Sequence, residues 1–314
     1  LILPVPDEDL VNKIQWPGMS ALVKPRVHQI LSAWRAVVAK TGMMLAHGVG
    51  TGKTYTLIMT AMKALEMGTA KKPMILVQKQ LLGPMVNSFL QLYPAAKLLV
   101  GDAGSTGGTN RVQFVERAKS EEWDAIIMTH STFNLIPMSD GAYARYEEQL
   151  TGVMEAHAET LGERDSGAKI SKRADEILTT MKRRLDEFRQ YQLTRTKSEE
   201  DEESGKWIPA TETYNFESMG VDLLLIDEAD EFRNIWTPTK LGSMKGVPNA
   251  ESNKGHDVLI KSQYIQNLNN GRGVVLATGT PVVKSLIEMY RYQMYLNMPG
   301  LEASGMMHFD AWAS

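Results

Sequence analysis

The chain has 314 residues, 43% of them hydrophobic, which is enough for one large α/β domain or two smaller ones. Its formal net charge of −3 excludes a globally basic molecule, so any nucleic-acid partner must be held by a local basic surface. The lack of cysteine excludes disulfides, thiolate zinc sites and cysteine nucleophiles, and fits a reducing cytoplasm.

No apolar run approaches the roughly 18 residues of a membrane span, and the start at Leu1–Asp7 lacks the basic region of a signal peptide. The chain opens without methionine and closes at Ala313-Ser314 with no terminal signature, so it reads as a segment of something longer.

In chain order, Lys24-Pro25-Arg26-Val27-His28-Gln29 comes first. The Gln29 amide offers a donor and an acceptor and can pair with an adenine edge, although an isolated glutamine is ordinarily a surface residue. The apolar run Met43–Ala46 then leads into His47-Gly48-Val49-Gly50-Thr51-Gly52-Lys53-Thr54. An apolar strand followed by a glycine-rich turn closing on Gly-Lys-Thr delivers a phosphate-binding loop onto a helix N-terminus. Gly48, Gly50, Thr51 and Gly52 let backbone N–H groups approach the phosphates of ATP. Lys53 would contact the β- and γ-phosphates, and the Thr54 hydroxyl would ligate Mg²⁺. His47 stands where the strict pattern has Gly or Ala. A glycine turn before an ordinary helix is the bland alternative.

Further strand-like runs are Met74–Val77, Lys97–Val100, Ala125–Met128, Leu223–Ile226 and Val274–Ala277. Helical spacing falls between most of them, as with Ala61, Met62, Leu65 and Met67, then Met85, Val86, Phe89 and Leu90. Gly101–Asn110 reads as a loop. This alternation predicts a mostly parallel sheet covered on both faces, with ligands at the carboxyl ends of its strands.

From about Gly141 to Ser218 the pattern breaks, with no strand-like run and dense charge. Tyr143, Tyr146, Leu150, Val153, His157 and Leu161 form one apolar stripe. Ile170, Ala174, Ile177, Met181, Leu185 and Phe188 form another, with turn residues at Gly162–Gly167 between them. The expectation is an inserted, charged helical hairpin followed by an acidic solvated loop, Ser198–Gly205. The boundaries expected are therefore 1–140 and 219–314 for two parts of one domain, and 141–218 for the insertion.

After the insertion, Leu223–Ile226 runs into Asp227-Glu228-Ala229-Asp230. Asp227 would hold Mg²⁺ through its water shell, and Glu228 would orient and deprotonate a water. By itself this acid cluster equally reads as a helix cap. With the lysine loop upstream, the pair reads as a nucleoside triphosphatase. The last run ends in Thr278-Gly279-Thr280-Pro281, where Pro281 can begin a helix. Thr278 and Thr280 could hydrogen-bond toward Asp227 or Glu228 and, with Asp230, relay the nucleotide state. Strand-end turn chemistry is the alternative there.

This assembly resembles the first RecA-like lobe of superfamily 2 helicases and translocases. The resemblance rests on a Gln motif at Gln29, motif I at His47–Thr54, motif Ia at Leu76–Leu82 and motif Ib at Met128–Ser131, then motif II at Asp227–Asp230 and motif III at Thr278–Pro281. Thr-Gly-Thr-Pro looks like the Swi/Snf-type branch, which usually has His where Asp230 stands. A closer likeness is to the helicase part of large phage and mobile-element proteins that often also carry an N6-adenine DNA methylase. It is carried by Leu45–Thr54, Phe89–Pro94, Trp123–Ser131, Gly220–Asn234, Gly271–Pro281 and His308–Ser314, while Val282-Val283-Lys284-Ser285 departs from it.

The resemblance implies a RecA-like three-layer P-loop fold and an ATP- and Mg²⁺-dependent motor on double-stranded DNA, without base reading, in a bacterial or phage-infected cytoplasm. It also implies a second RecA-like lobe beyond this chain, with an arginine finger, and a fused or associated methylase. Poor hydrolysis is expected of this lobe alone. Gln78, Lys79, Gln80, Thr129, His130 and Ser131 are the implied nucleic-acid contacts, held through the backbone. Lys182-Arg183-Arg184 is a second candidate, or simply a solvated helix face. Two other readings stay open: an ATP-gated switch that holds a protein partner through the insertion, and an RNA helicase suggested by Asp-Glu-Ala-Asp alone.

Overall fold

Each of the apolar runs forms a strand in the computed structural model of the chain. They are β1 (Met43–Ala46), β2 (Pro73–Val77), β3 (Leu98–Gly101), β4 (Ala125–Thr129), β5 (Leu223–Ile226) and β6 (Val274–Thr278). The structure describes residues 8–106, 110–149, 151–152, 179, 183, 186–188, 190–191, 214–235, 237, 253–283, 285–307 and 309–313. The strands make one six-stranded sheet in the order β1-β6-β5-β2-β4-β3. Every pairing is parallel.

The sheet is buried on both faces, and the two-residue period of a strand divides its side chains between two cores. Met74, Leu76, Ile126, Met128, Leu224, Ile226, Val274 and Leu276 enter one core. Their neighbours Ile75, Val77, Ala125, Ile127, Leu223, Leu225, Val275 and Ala277 enter the other. The second core is closed by α2 (Val27–Val38), α3 (Lys53–Glu66) and α4 (Leu82–Leu92), following the short N-terminal α1 (Glu8–Lys13). The first core is closed by α5 (Asn110–Ser120), α6 (His130–Phe133), α7 (Asn253–Leu268), α8 (Ile287–Leu296), α9 (Met298–Ala303) and α10 (Phe309–Ala313). The result is a RecA-like three-layer α/β fold. Among the described residues no helix is long and apolar enough to cross a membrane.

Of the described residues in the insertion expected at 141–218, residues 141–149, 151–152 and those from 179 to 191 are helical. Tyr143 meets Phe188 edge-on at 6.0 Å, Phe188 lies 6.1 Å from the His256 ring, and the Tyr146 hydroxyl lies 3.3 Å from His256 Nδ1. The near ends of the two expected stripes thus meet each other and α7. Leu150, Val153, His157, Leu161, Ile170, Ala174, Ile177, Met181, Leu185, the turn at 162–167 and the acidic run at 198–205 lie outside the described residues. So do Lys182 and Arg184. Arg183 lies 3.9 Å from Glu187, a surface pair of the weak kind.

Pro281 does not begin a helix. The chain bends there, and α8 starts only at Ile287, because the Val283 N–H donates to the buried Glu288 carboxylate (2.8 Å) and wraps the preceding residues around the helix start. Entry into β6 depends on Gly273, whose φ is +91° and whose missing Cβ would lie 2.8 Å from the Asp222 carbonyl. Replacing it combines left-handed strain with a backbone clash. Gly273→Ala is expected to destabilise the protein by about 2 kcal/mol or more in urea unfolding. A change below about 0.5 kcal/mol would show that the neighbouring backbone gives way freely.

Candidate nucleotide-binding site

The loop from β1 to α3 turns on Gly50 and Gly52, with φ of +78° and +86°, values that favour glycine. Within it the Thr51 hydroxyl donates to the Gly48 carbonyl at 2.7 Å. Gly52 caps α3, so Lys53 and Thr54 occupy its first turn, where free N–H groups and the helix dipole attract an anion. Lys53 is buried, and its Nζ lies 3.4 Å from the His47 carbonyl and 3.7 Å from Glu228 Oε1. The expected glycines, Lys53 and Glu228 therefore meet in space.

His47 is accommodated because its ring turns toward α2. It shares a 3.1 Å hydrogen bond with Ser32 on α2 and packs edge-on against His28 at 5.7 Å. Burial, with His28 and Lys53 adding to it, holds the His47 imidazole below its ordinary pKa, so it is neutral at physiological pH. His28 Nε2 donates to the Thr51 carbonyl at 2.9 Å, a second brace from α2 onto the loop. Nothing in the sequence marked His28 or Ser32, since their role appears only once α2 lies beside the loop.

Gln29 is buried, with its amide engaged at both ends. The Arg26 N–H donates to Oε1 at 2.7 Å, and Nε2 donates to the Gly52 carbonyl at 3.2 Å. The residue expected to reach a base thus grips the glycine loop, and a side chain at Gly52 would collide with it.

At the end of β5, Asp227 is buried, its N–H donates to the Leu76 carbonyl, and its Oδ1 accepts from the Glu228 N–H at 3.1 Å. Burial first, then the charge of Glu228, pushes its carboxyl up to about 6. Glu228 sits at φ +49°, a left-handed conformation uncommon outside glycine, and leads into a 3₁₀ turn at Ala229–Phe232. Thr278, at the end of β6, is fully buried, and its hydroxyl donates to Asp230 at 3.4 Å. The Thr280 N–H donates back to the Thr278 hydroxyl at 3.1 Å. Thr278 and Thr280 were expected to point toward Asp227 or Glu228, but the Thr278 hydroxyl reaches Asp230 instead, and Thr280 meets only Thr278, through its backbone N–H.

No cluster of three or more His, Asp or Glu able to cage a metal exists among the described residues. The donors present, a buried carboxylate and a hydroxyl at a helix start, fit a Mg²⁺ that keeps waters and takes phosphate oxygens to complete its shell. Of the expected nucleic-acid contacts, Lys79, Gln80 and Ser131 are exposed and Gln78 is half-buried, whereas Thr129 and His130 are buried. Thr129 caps α6 by accepting from the Thr132 N–H. Glu231 was missed in the sequence. It accepts from Gln78 and from His130, and an acid at a strand-end turn gave no reason to single it out.

The fold and these strand ends define a RecA-like α/β domain with a glycine loop and an acid pair on one sheet edge. A family model described as a probable helicase domain matches residues 34–314, and the chain belongs to that family. A stretch of 77 residues, 24% of this chain, is 36% identical to the Defense against restriction protein B of Escherichia phage P1, and spans 3% of that protein's length. Among solved structures, the Sulfolobus solfataricus SWI2/SNF2 ATPase core in complex with dsDNA aligns over 94% of this chain and 40% of its own, at 13% identity and a TM-score of 0.47. The Pyrococcus furiosus Hef helicase domain aligns over 87% and 36%, at 15% identity and a TM-score of 0.44.

The raised Asp227 carboxyl has a consequence for stability. The folded state holds this proton more tightly than an unfolded chain, so the associated stability is present at low pH and is lost as pH rises from about 4 through about 6. Asp227→Asn removes the buried charge and is expected to stabilise the ligand-free protein at pH 7 by on the order of 2 kcal/mol, with little change at pH 4. Thermal melts at the two pH values read this directly. Equal shifts at both would mean that the carboxyl is not perturbed.

Proposed function

We propose that this chain is the ATP-binding motor lobe of a DNA-dependent ATPase, a helicase or double-stranded DNA translocase. The observation that carries the reading is the meeting of Lys53 with Glu228 beside the buried Asp227, at the strand edge where the glycine loop also lies. The glycine loop and the first turn of α3 supply N–H groups for the phosphates, and Lys53 neutralises the terminal ones. Thr54 and Asp227 would hold Mg²⁺, which supplies charge neutralisation on the β- and γ-phosphates. Its charge would also return Asp227 to the ionised state that burial opposes.

On this reading Glu228 orients the attacking water and takes its proton as the bond to the terminal phosphorus forms and ADP leaves. Thr278 and Asp230 link the ends of β6 and β5, so a change at one is felt at the other. Lys79, Gln80 and Ser131, exposed on the same edge, suit contacts to a nucleic-acid backbone rather than to bases. Membership of the helicase-domain family supports a track of nucleic acid. The stretch shared with a phage protein supports a phage or mobile-element origin. On this reading the lobe acts with a second RecA-like lobe, and residues 141–218 are an insertion in it.

The test is ATP hydrolysis by the full-length parent protein with double-stranded DNA, single-stranded DNA, RNA or no nucleic acid. Stimulation of at least tenfold by DNA, abolished by Lys53→Ala, is the expected result. Tight ATP binding with no stimulation on any nucleic acid would contradict the motor reading and favour an ATP-gated switch.

A further inference from the structure

One polar cluster on the carboxyl edge is not used by the nucleotide chemistry above. Glu231 lies in the 3₁₀ turn just after Asp230, and its two carboxylate oxygens go to different strand ends. Gln78, just past β2, donates through Nε2 to Oε1 at 2.7 Å. His130, just past β4, donates through Nδ1 to Oε2 at 2.9 Å. Gln80 Nε2 donates in turn to Gln78 Oε1 at 2.6 Å. Because β5, β2 and β4 are neighbours in the sheet, one side chain ties together three adjacent strand ends.

The two halves of this clasp differ. The His130 side chain is only 6% exposed and packs edge-on against Phe232 at 4.9 Å, while the Glu231 side chain is 45% exposed. The inner bond is therefore shielded from water and the outer one, to Gln78, faces solvent. A bond between a charged group and a buried partner holds, whereas an exposed one exchanges readily. The same short turn begins at the strained Glu228, which faces Lys53, and includes Asp230, which accepts from Thr278. One end of the turn thus belongs to the nucleotide site and the other to the loops after β2 and β4.

We propose that Glu231 is a positioning residue through which DNA resting on those loops adjusts the Asp227–Glu228 pair. A backbone phosphate and the Glu231 carboxylate are both anions seeking the Gln78 amide. When the phosphate takes that donor, Glu231 is held by His130 alone, and this single buried anchor draws the turn carrying Glu228 into its hydrolytic position. The proposal rests on the reading of the chain as a DNA-dependent ATPase.

The test uses the full-length parent protein with saturating double-stranded DNA or none, and compares Glu231→Ala, Gln78→Ala and the double variant. ATP affinity, DNA affinity and melting temperature are measured alongside. Glu231→Ala is expected to keep its basal rate and ATP affinity, and its DNA affinity within about twofold, while losing roughly tenfold of the DNA-stimulated rate; its melting temperature falls by a few degrees because the buried His130 loses its partner. The double variant should be stimulated no worse than Glu231→Ala, because Gln78 acts through Glu231.

Full stimulation of Glu231→Ala overturns the proposal, as do basal and stimulated rates that fall together, or losses that multiply in the double variant. Should Glu231→Ala fail to fold, Glu231→Gln keeps the volume but leaves one accepting oxygen for two donors. It should lose part of the stimulation, and full stimulation there overturns the proposal equally. A wild-type protein that DNA does not stimulate overturns the reading of the chain as a DNA-dependent ATPase. A stimulated wild type with a stimulated Glu231→Ala overturns only the clasp.

Discussion

Ala46 pairs with Thr278 and Leu276 with Ile226, in parallel, across β1, β6 and β5. That register is what brings the glycine loop, the Asp227-Glu228 pair and Thr278 out on one edge of the sheet. Strands about 4.8 Å apart place their end residues within side-chain reach, so Lys53 meets Glu228 at 3.7 Å although a long stretch of chain separates them. Reversing any one of these strands would send its end to the opposite edge and dismantle the site. The ends of β2 and β4 emerge on the same edge, which is why Gln78 and His130 lie within reach of the turn that follows β5.

The site is held in an uncomfortable state, and the surrounding packing keeps it there. Asp227 is buried beside a second acid, and Glu228 adopts a left-handed backbone, a conformation that costs on the order of 1 kcal/mol or more for a residue with a side chain. Cationic charge would relieve the first of these, so ligand binding and stability are linked. The support beneath is firm. The fully buried Lys261 donates to Asp257 at 2.6 Å and to the Phe133 carbonyl at 2.9 Å, pinning α6, and with it His130, to α7. A buried ion pair like this contributes little net stability when intact, but its loss leaves a bare charge in the core.

Strands were the most legible part of the sequence, because a parallel strand buried on both faces is an uninterrupted apolar run. Leu223–Ile226 and Met43–Ala46 match their runs end to end. The helices α5 and α7 were not legible. α7 buries Asp257, Lys261, Ser262, Gln263 and Gln266, so it presents no apolar stripe, and burying Lys261 and Gln266 relies in part on carbonyls distant in the chain, those of Phe133 and Tyr295. The glycine loop and acid pair stood out because their chemistry is local to short segments. The partners of Gln29, Thr278 and Glu231 did not, because each is fixed by which strand ends become neighbours. Reading Gln29 as a base contact followed from its place before the first strand, and its hold on Gly52 depends on the packing of α2 against the loop.

The central claim is that this strand edge takes the polyphosphate of ATP together with a metal. Equilibrium titration with a fluorescent ATP analogue, with and without Mg²⁺, tests it most directly. Saturable one-to-one binding that magnesium tightens at least tenfold, competed by ADP and not by AMP, is expected if the glycine loop and Lys53 address the β- and γ-phosphates. Binding indifferent to magnesium, or competed equally by AMP, would contradict it.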